Sequence, residues 1–105
     1  MNPLDRQIAE AKGLKIDLLG GISTDRPGVY TLGALWSESD AKALELVDEL
    51  AAKGFRFSLR TAEVGRGWIV YFHNAQAFDA LDGGGYTRPE AICRAYLAAM
   101  EWMKK

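Results

Sequence analysis

The sequence has a single cysteine, Cys93, and a single histidine, His73. One cysteine excludes a disulfide within the chain and any metal site that is built from several thiolates. One histidine likewise excludes a histidine-rich metal site. We therefore expect no metal and no other cofactor, and the lack of paired cysteines favours a reducing, cytoplasmic setting.

Long apolar runs and an excess of one charge are also missing. No run approaches the ~18 residues of a membrane-spanning helix, and no signal-peptide pattern opens the sequence, so we expect no membrane association. The 13 basic and 14 acidic residues give a formal net charge of -1. That balance argues against general binding to duplex nucleic acid, which requires a basic face. The length and composition are those of one domain, 1–105.

The residue patterns predict the α+β fold class, as a small αβα-type sandwich in which an antiparallel β-hairpin packs with three helices. The hairpin is predicted at about 55–61 and 67–73. In its first strand, Phe55, Phe57 and Leu59 alternate with polar residues, which is typical of a strand with one buried face. The helices are predicted at about 3–12, 38–53 and 88–103.

Start and stop signals bound the last two helices. A hydroxyl followed three residues later by a carboxylate predicts a capping box at Ser37/Asp40 and another at Thr87/Glu90. Gly54 can adopt the left-handed conformation that ends a helix. The sequence therefore predicts one helix on each side of the hairpin along the chain.

The last helix is apolar around most of its circumference. Such a helix is buried on more than one side, which predicts either a central helix or a self-association surface. The second hairpin strand is apolar on both faces as well. We therefore expect a homo-oligomer, with a dimer favoured.

Two segments carry little regular pattern. Residues 74–86 are predicted to be a loop, and the glycines at 83–85 stand ahead of a helix, where a phosphate cradle is a less favoured alternative to a surface loop. Residues 15–36 form a long connection, and long connections often carry function. They contain a second, weaker candidate site, whose members are Asp17, Asp25, Arg26 and Tyr30.

The main candidate ligand site lies on the hairpin. Arginines beside an aromatic side chain can hold phosphates and stack on bases, and the two strands place such residues on one face. An ordinary solvated face is the alternative interpretation. The candidate ligand-binding residues are Arg56, Arg60, Tyr71 and His73.

No catalytic residues are predicted. Cys93 lies in an apolar stretch, which indicates a small buried side chain rather than a nucleophile. His73 is predicted to be a structural or edge residue, because no carboxylate that could orient it as a base is evident. No spacing relates the two, so we expect a protein that is not an enzyme.

The order of the elements and one sequence block resemble a known family. The block is Thr87-Arg-Pro-Glu-Ala-Ile-Cys-Arg-Ala, after Trp36-Ser-Glu-Ser-Asp and Gly67-Trp68-Ile-Val-Tyr-Phe. Through these segments the chain resembles the phage ABA sandwich domain family. The resemblance covers nearly the whole chain except about 15–35. The resemblance implies a small α/β sandwich, a single such domain over 1–105, and a phage origin. It implies no established activity, cofactor or catalytic residue.

Three functions are compatible with these observations. The favoured one is a non-enzymatic phage accessory protein that binds a host or phage protein in the host cytoplasm, in host takeover or in counteracting host defence. The alternative is a protein that sequesters a small nucleotide ligand, using Arg56, Arg60 and Tyr71. A nucleic-acid-binding module is a further alternative, which the net charge makes the least favoured.

Overall fold

The computed structural model describes residues 3–14, 22–23, 30–31, 36–62, 67–76 and 81–104. Its elements in chain order are helix α1 (Pro3–Lys12), strands β1 (Ile22–Ser23) and β2 (Tyr30–Thr31), helix α2 (Asp40–Ala52), strands β3 (Arg56–Thr61), β4 (Trp68–His73) and β5 (Leu81–Gly85), and helix α3 (Arg88–Met103). Strands β1 and β2 pair antiparallel with each other, and β3, β4 and β5 form an antiparallel sheet in that order.

The predicted α+β class is confirmed. Helices precede and follow the three-stranded sheet along the chain, which fits the predicted αβα-type sandwich. None of the helices in the described ranges is long and apolar enough to cross a bilayer. Of the weaker candidate site, Asp17, Asp25 and Arg26 lie outside the described residues, and Tyr30 is known only as a residue of β2.

Helix α3 lies between the three-stranded sheet and the other two helices. It contacts β4 and β5 as well as α1 and α2. This placement explains why α3 is apolar around most of its circumference, because both sides are covered within one chain. The predicted homo-oligomer stays a prediction. The α3 residues that are buried among these elements are Pro89, Ala91, Ile92, Cys93, Ala95, Tyr96 and Ala99.

Strand β5 corrects the prediction of a loop over 74–86, because the glycine run is part of the sheet. A Cβ atom at Gly85 would lie 2.9 Å from the backbone nitrogen of Ala91, and one at Gly83 would lie 2.8 Å from the carbonyl oxygen of Ala91. Both distances are shorter than side-chain carbons tolerate. Glycine is therefore required here because the strand approaches the α3 backbone closely.

The start of α2 also differs from the prediction. Ser39 is the capping residue, and its hydroxyl accepts a hydrogen bond of 3.2 Å from the amide of Lys42. Ser37 is buried, and it donates its amide and its hydroxyl to the two carboxylate oxygens of Asp5, at 2.8 and 2.7 Å. The predicted box at Ser37/Asp40 is wrong because the Ser37 hydroxyl is engaged by α1.

The other predicted helix boundaries are confirmed. The hydroxyl of Thr87 accepts a hydrogen bond of 3.3 Å from the amide of Glu90 at the start of α3. The carboxylate of Glu90 forms an ion pair with Arg94 and makes no bond to the Thr87 amide among the described contacts, so only half of the predicted capping box is formed. Gly54 has a φ of 92°, and the next amide donates to the Leu50 carbonyl, which ends α2 in a Schellman motif. Helix α2 thereby leads directly into β3.

Candidate functional site

The three-stranded sheet has one face against α3 and an outer face directed away from it. Leu59, Val70 and Gly83 are cross-strand neighbours, and Gly83 approaches the α3 backbone. Adjacent residues of a strand point to opposite faces of the sheet. The residues that precede and follow Leu59, Val70 and Gly83 along their strands therefore point outward, away from α3. The outer sheet face contains Gly84 and the side chains of Arg56, Ser58, Arg60, Ile69, Tyr71, His73 and Asp82.

The structure brings all four predicted ligand-binding residues together on the outer sheet face. Arg56 lies directly across from His73, and Arg60 lies across from Ile69. The guanidinium carbon of Arg60 is 4.9 Å from the centroid of the Tyr71 ring, which is a cation–π contact. Their common placement is therefore established, and their role in binding stays a prediction.

Arg56 and Arg60 differ from the other arginines that the structure describes. Both are exposed, and within the described ranges neither has a carboxylate partner. Among the described residues, the one carboxylate of the outer sheet face is that of Asp82 on β5, two strands from β3 and thus about 10 Å away at the backbone. The other arginines form the pairs Arg6–Glu10 at 3.2 Å, Arg88–Asp40 at 2.9 Å and Arg94–Glu90 at 3.0 Å.

Two adjoining grooves open beside the start of α3, and the four predicted residues line neither of them. The larger groove has a volume of about 760 Å³ and the smaller one about 350 Å³. Trp68, Tyr86 and Glu90 line both. The side chains of the larger groove that bear on its chemistry are Glu38, Asp40, Trp68, Tyr86, Arg88 and Glu90.

The sequence alone does not indicate this groove. The residue patterns place Trp68 in a strand and Tyr86 at the end of the predicted loop over 74–86. The register of β5 places Gly85 across from Trp68, which brings Tyr86 to the same end of the sheet. In the sequence, Trp68 lies near the start of a predicted strand and Tyr86 lies at the end of the predicted loop. Nothing places these two aromatic residues side by side until β5 is recognised as a strand.

The sole thiol and the sole imidazole lie on different parts of the molecule. Cys93 is buried in α3, where burial, with a smaller contribution from the charge of Asp5, raises the pKa of its thiol to about 12. His73 lies on the outer sheet face, which is directed away from α3. Across the described ranges, no three His, Cys, Asp or Glu side chains are grouped in a way that could hold a metal ion.

A polar cluster joins the three helices. The ammonium group of Lys12 lies 2.8 Å from a carboxylate oxygen of Glu49, and the hydroxyl of Tyr96 donates to the other oxygen. Burial raises the pKa of Glu49, but these hydrogen bonds and the charge of Lys12 outweigh it and hold the pKa below its ordinary value. Since every member is partnered within the chain, we interpret the cluster as structural.

Comparison with known proteins returns no relative. No protein-family model matches the chain, and no curated protein and no solved structure matches it. The resemblance to the phage ABA sandwich domain family therefore stays a prediction. The same holds for the phage origin and for the single domain over 1–105.

Proposed function

We propose that this protein is a non-enzymatic binding protein whose outer sheet face attaches to an acidic surface of a protein partner. One observation carries the proposal. Arg56 and Arg60 are exposed and have no carboxylate partner in the described structure, whereas each of the other described arginines has one. Guanidinium groups form strong charge-assisted hydrogen bonds with carboxylates and are enriched at protein interfaces.

The geometry of the outer sheet face supports a protein partner over a small molecule. Arg56 and Arg60 stand four residues apart on one strand, so their Cα atoms are about 13 Å apart. Two acidic side chains on a protein surface can engage both groups across that span. Small molecules usually bind in a concave site that buries most of their surface, and these arginines line neither groove.

A role in phage biology is the second part of the proposal. The resemblance of the block that begins at Thr87 to the phage ABA sandwich domain family supports an accessory protein. Its partner would be a host or phage protein in the host cytoplasm, in host takeover or in counteracting host defence. The buried thiol of Cys93, protonated because its pKa is raised to about 12, supports a role without nucleophilic catalysis.

Capture from cells of the host tests the proposal. Tagged wild-type protein is compared with the double variant Arg56→Ala/Arg60→Ala and with the control Arg6→Ala, which removes an exposed, paired arginine from α1. We expect a partner that the wild type and the control recover and the double variant loses, and that dissociates as the salt concentration rises. Recovery of the same proteins by the double variant, or of none by the wild type, refutes the proposal.

A nucleotide ligand is the second candidate, and the contact between Arg60 and Tyr71 favours it. An arginine beside an aromatic ring can hold a phosphate while a base stacks nearby. A nucleotide at a hundredfold excess over its Kd would raise the free energy of unfolding by about 2.7 kcal/mol. If a nucleotide raises the melting temperature of the wild type but not that of the double variant, the ligand of this face is a nucleotide rather than a protein. A nucleic-acid strand is less favoured, because the part of this face that the structure describes has only two arginines.

A further inference from the structure

We propose that the larger groove, between the starts of α2 and α3, is a second binding site and takes an arginine- or lysine-bearing peptide segment of a partner protein. We call it the aromatic-acidic groove, after Trp68 and Tyr86 and the carboxylates of Glu38, Asp40 and Glu90 that line it. Its volume of about 760 Å³ falls within the range of about 300–1,000 Å³ that ligand sites have. The proposal does not depend on the outer sheet face.

The exposed aromatic surface is the first argument. Tyr86 is 80% exposed, although a tyrosine ring usually buries most of its area. It stands beside Trp68, which is half-buried, and both rings line the two adjoining grooves. Exposed tyrosine and tryptophan are enriched among the residues that dominate binding energy at interfaces.

The groove already holds one guanidinium group, and this is the second argument. The guanidinium carbon of Arg88 lies 5.5 Å from the centroid of the Trp68 ring, and its Nη2 atom is 2.9 Å from Oδ2 of Asp40. A ring and a carboxylate thus hold a cation. Tyr86 and Glu38 provide a second ring and a second carboxylate in the same groove, and neither is engaged by another side chain within the described ranges. A cationic side chain of a partner has the chemistry to occupy that place.

Charge is the third argument. The carboxylates of Glu38, Asp40 and Glu90 line the aromatic-acidic groove. Asp40 pairs with Arg88 and Glu90 pairs with Arg94, which leaves the carboxylate of Glu38 without a counter-charge among the described residues. An anion is favoured at a helix N-terminus in general. Here the Thr87 hydroxyl already binds the amide of Glu90, and the proline of the first turn has no amide proton. The unpaired carboxylate of Glu38 therefore decides for a cation.

A peptide titration followed by two-dimensional NMR tests the proposal. The probe is the pentapeptide acetyl-Gly-Arg-Gly-Arg-Gly-amide, and the matched control peptide has glutamate in place of arginine. We expect saturable shifts of the Trp68 indole and of the Tyr86 and Glu38 amides with the arginine peptide only. Tyr86→Ala and Glu38→Gln should each raise the Kd by about fivefold, which corresponds to the loss of one exposed cation–π or ion-pair contact. Both residues are exposed, so the variants keep the fold, which their spectra verify.

Two further variants separate this site from the outer sheet face. Arg56→Ala/Arg60→Ala and Tyr71→Ala should leave the Kd for the arginine peptide unchanged. Absence of saturable shifts, equal binding of the glutamate peptide, or an unchanged Kd in the double variant Tyr86→Ala/Glu38→Gln would each overturn the proposal. None of these outcomes bears on whether the outer sheet face binds its own partner.

Discussion

The guanidinium of Arg60 lies over the ring of Tyr71, 4.9 Å from its centroid. This contact across β3 and β4 positions the charged group without neutralising it, because an aromatic ring attracts a cation but carries no net charge. A positioned guanidinium loses less conformational entropy when it binds an anion than a freely rotating one does. The pair is therefore suited to recognise a carboxylate on a partner.

The close approach of β5 to α3 gives a stability prediction with a neighbouring control. Gly83→Ala should lower the free energy of unfolding by about 3 kcal/mol or more, because the new Cβ would meet the α3 backbone, which cannot move aside as a side chain can. A Cβ at Gly84 would point to the outer face, where the nearest heavy atom lies 3.7 Å away. Gly84→Ala should therefore leave the free energy of unfolding unchanged or raise it slightly. Urea unfolding measures both, and equal effects would refute the placement of β5.

A second prediction concerns acid and the cluster that joins the helices. Burial raises the pKa of Glu49, but hydrogen bonds from Lys12 and Tyr96, and the charges of Lys12 and Lys53, hold the pKa below its ordinary value of 4.5. The unfolded chain therefore binds this proton more tightly than the folded chain. The stabilisation is fully present above about pH 4.5 and is lost as the pH falls through the folded-state pKa.

Glu49→Gln should accordingly lower the free energy of unfolding at pH 7 and flatten its decline between pH 7 and pH 3. Urea unfolding over this pH range checks the expectation. Glu45→Gln, an exposed carboxylate on the same helix, is the matched control and should change little. If both variants keep the wild-type pH profile, the cluster does not contribute as described.

The third prediction is that Cys93 reacts with a thiol reagent only when the chain unfolds. Burial, followed by the charge of Asp5, raises the pKa of the thiol from 9.0 to about 12, so the folded protein has almost no thiolate at pH 8. The labelling rate with a chromogenic disulfide reagent should therefore rise with urea in step with unfolding. Labelling of the native protein at the rate of a free thiol would speak for a reactive site instead.

Local signals in the sequence determined most of the fold. The hydroxyl of Thr87 and the glycine at 54 set helix ends that depend only on neighbouring backbone groups. The alternation of apolar and polar residues in β3 likewise placed Arg56 and Arg60 on one face and predicted the grouping of the candidate residues. These features were readable because each depends on a few adjacent residues.

The features that depend on distant packing could not be read from the sequence. Gly83 and its neighbours lack the side chains that favour a strand, and they form β5 because α3 covers them. From its sequence neighbours alone, Ser37 is predicted to be a helix cap, but its hydroxyl donates a hydrogen bond to Asp5, which is far away in the chain. The aromatic-acidic groove depends on both of these outcomes, since its walls are the starts of α2 and α3 and the end of the sheet.

Site-specific photocrosslinking tests the central claim, that the outer sheet face is the partner-binding surface, most directly. Ser58 lies between Arg56 and Arg60 and is exposed, and Gln7 is exposed on α1. With p-benzoylphenylalanine in place of Ser58, irradiation of host cells should give a defined adduct that disappears when both arginines are also replaced by alanine. The same group at Gln7 should give none. No adduct from position 58, or the same adduct from position 7, would contradict the account.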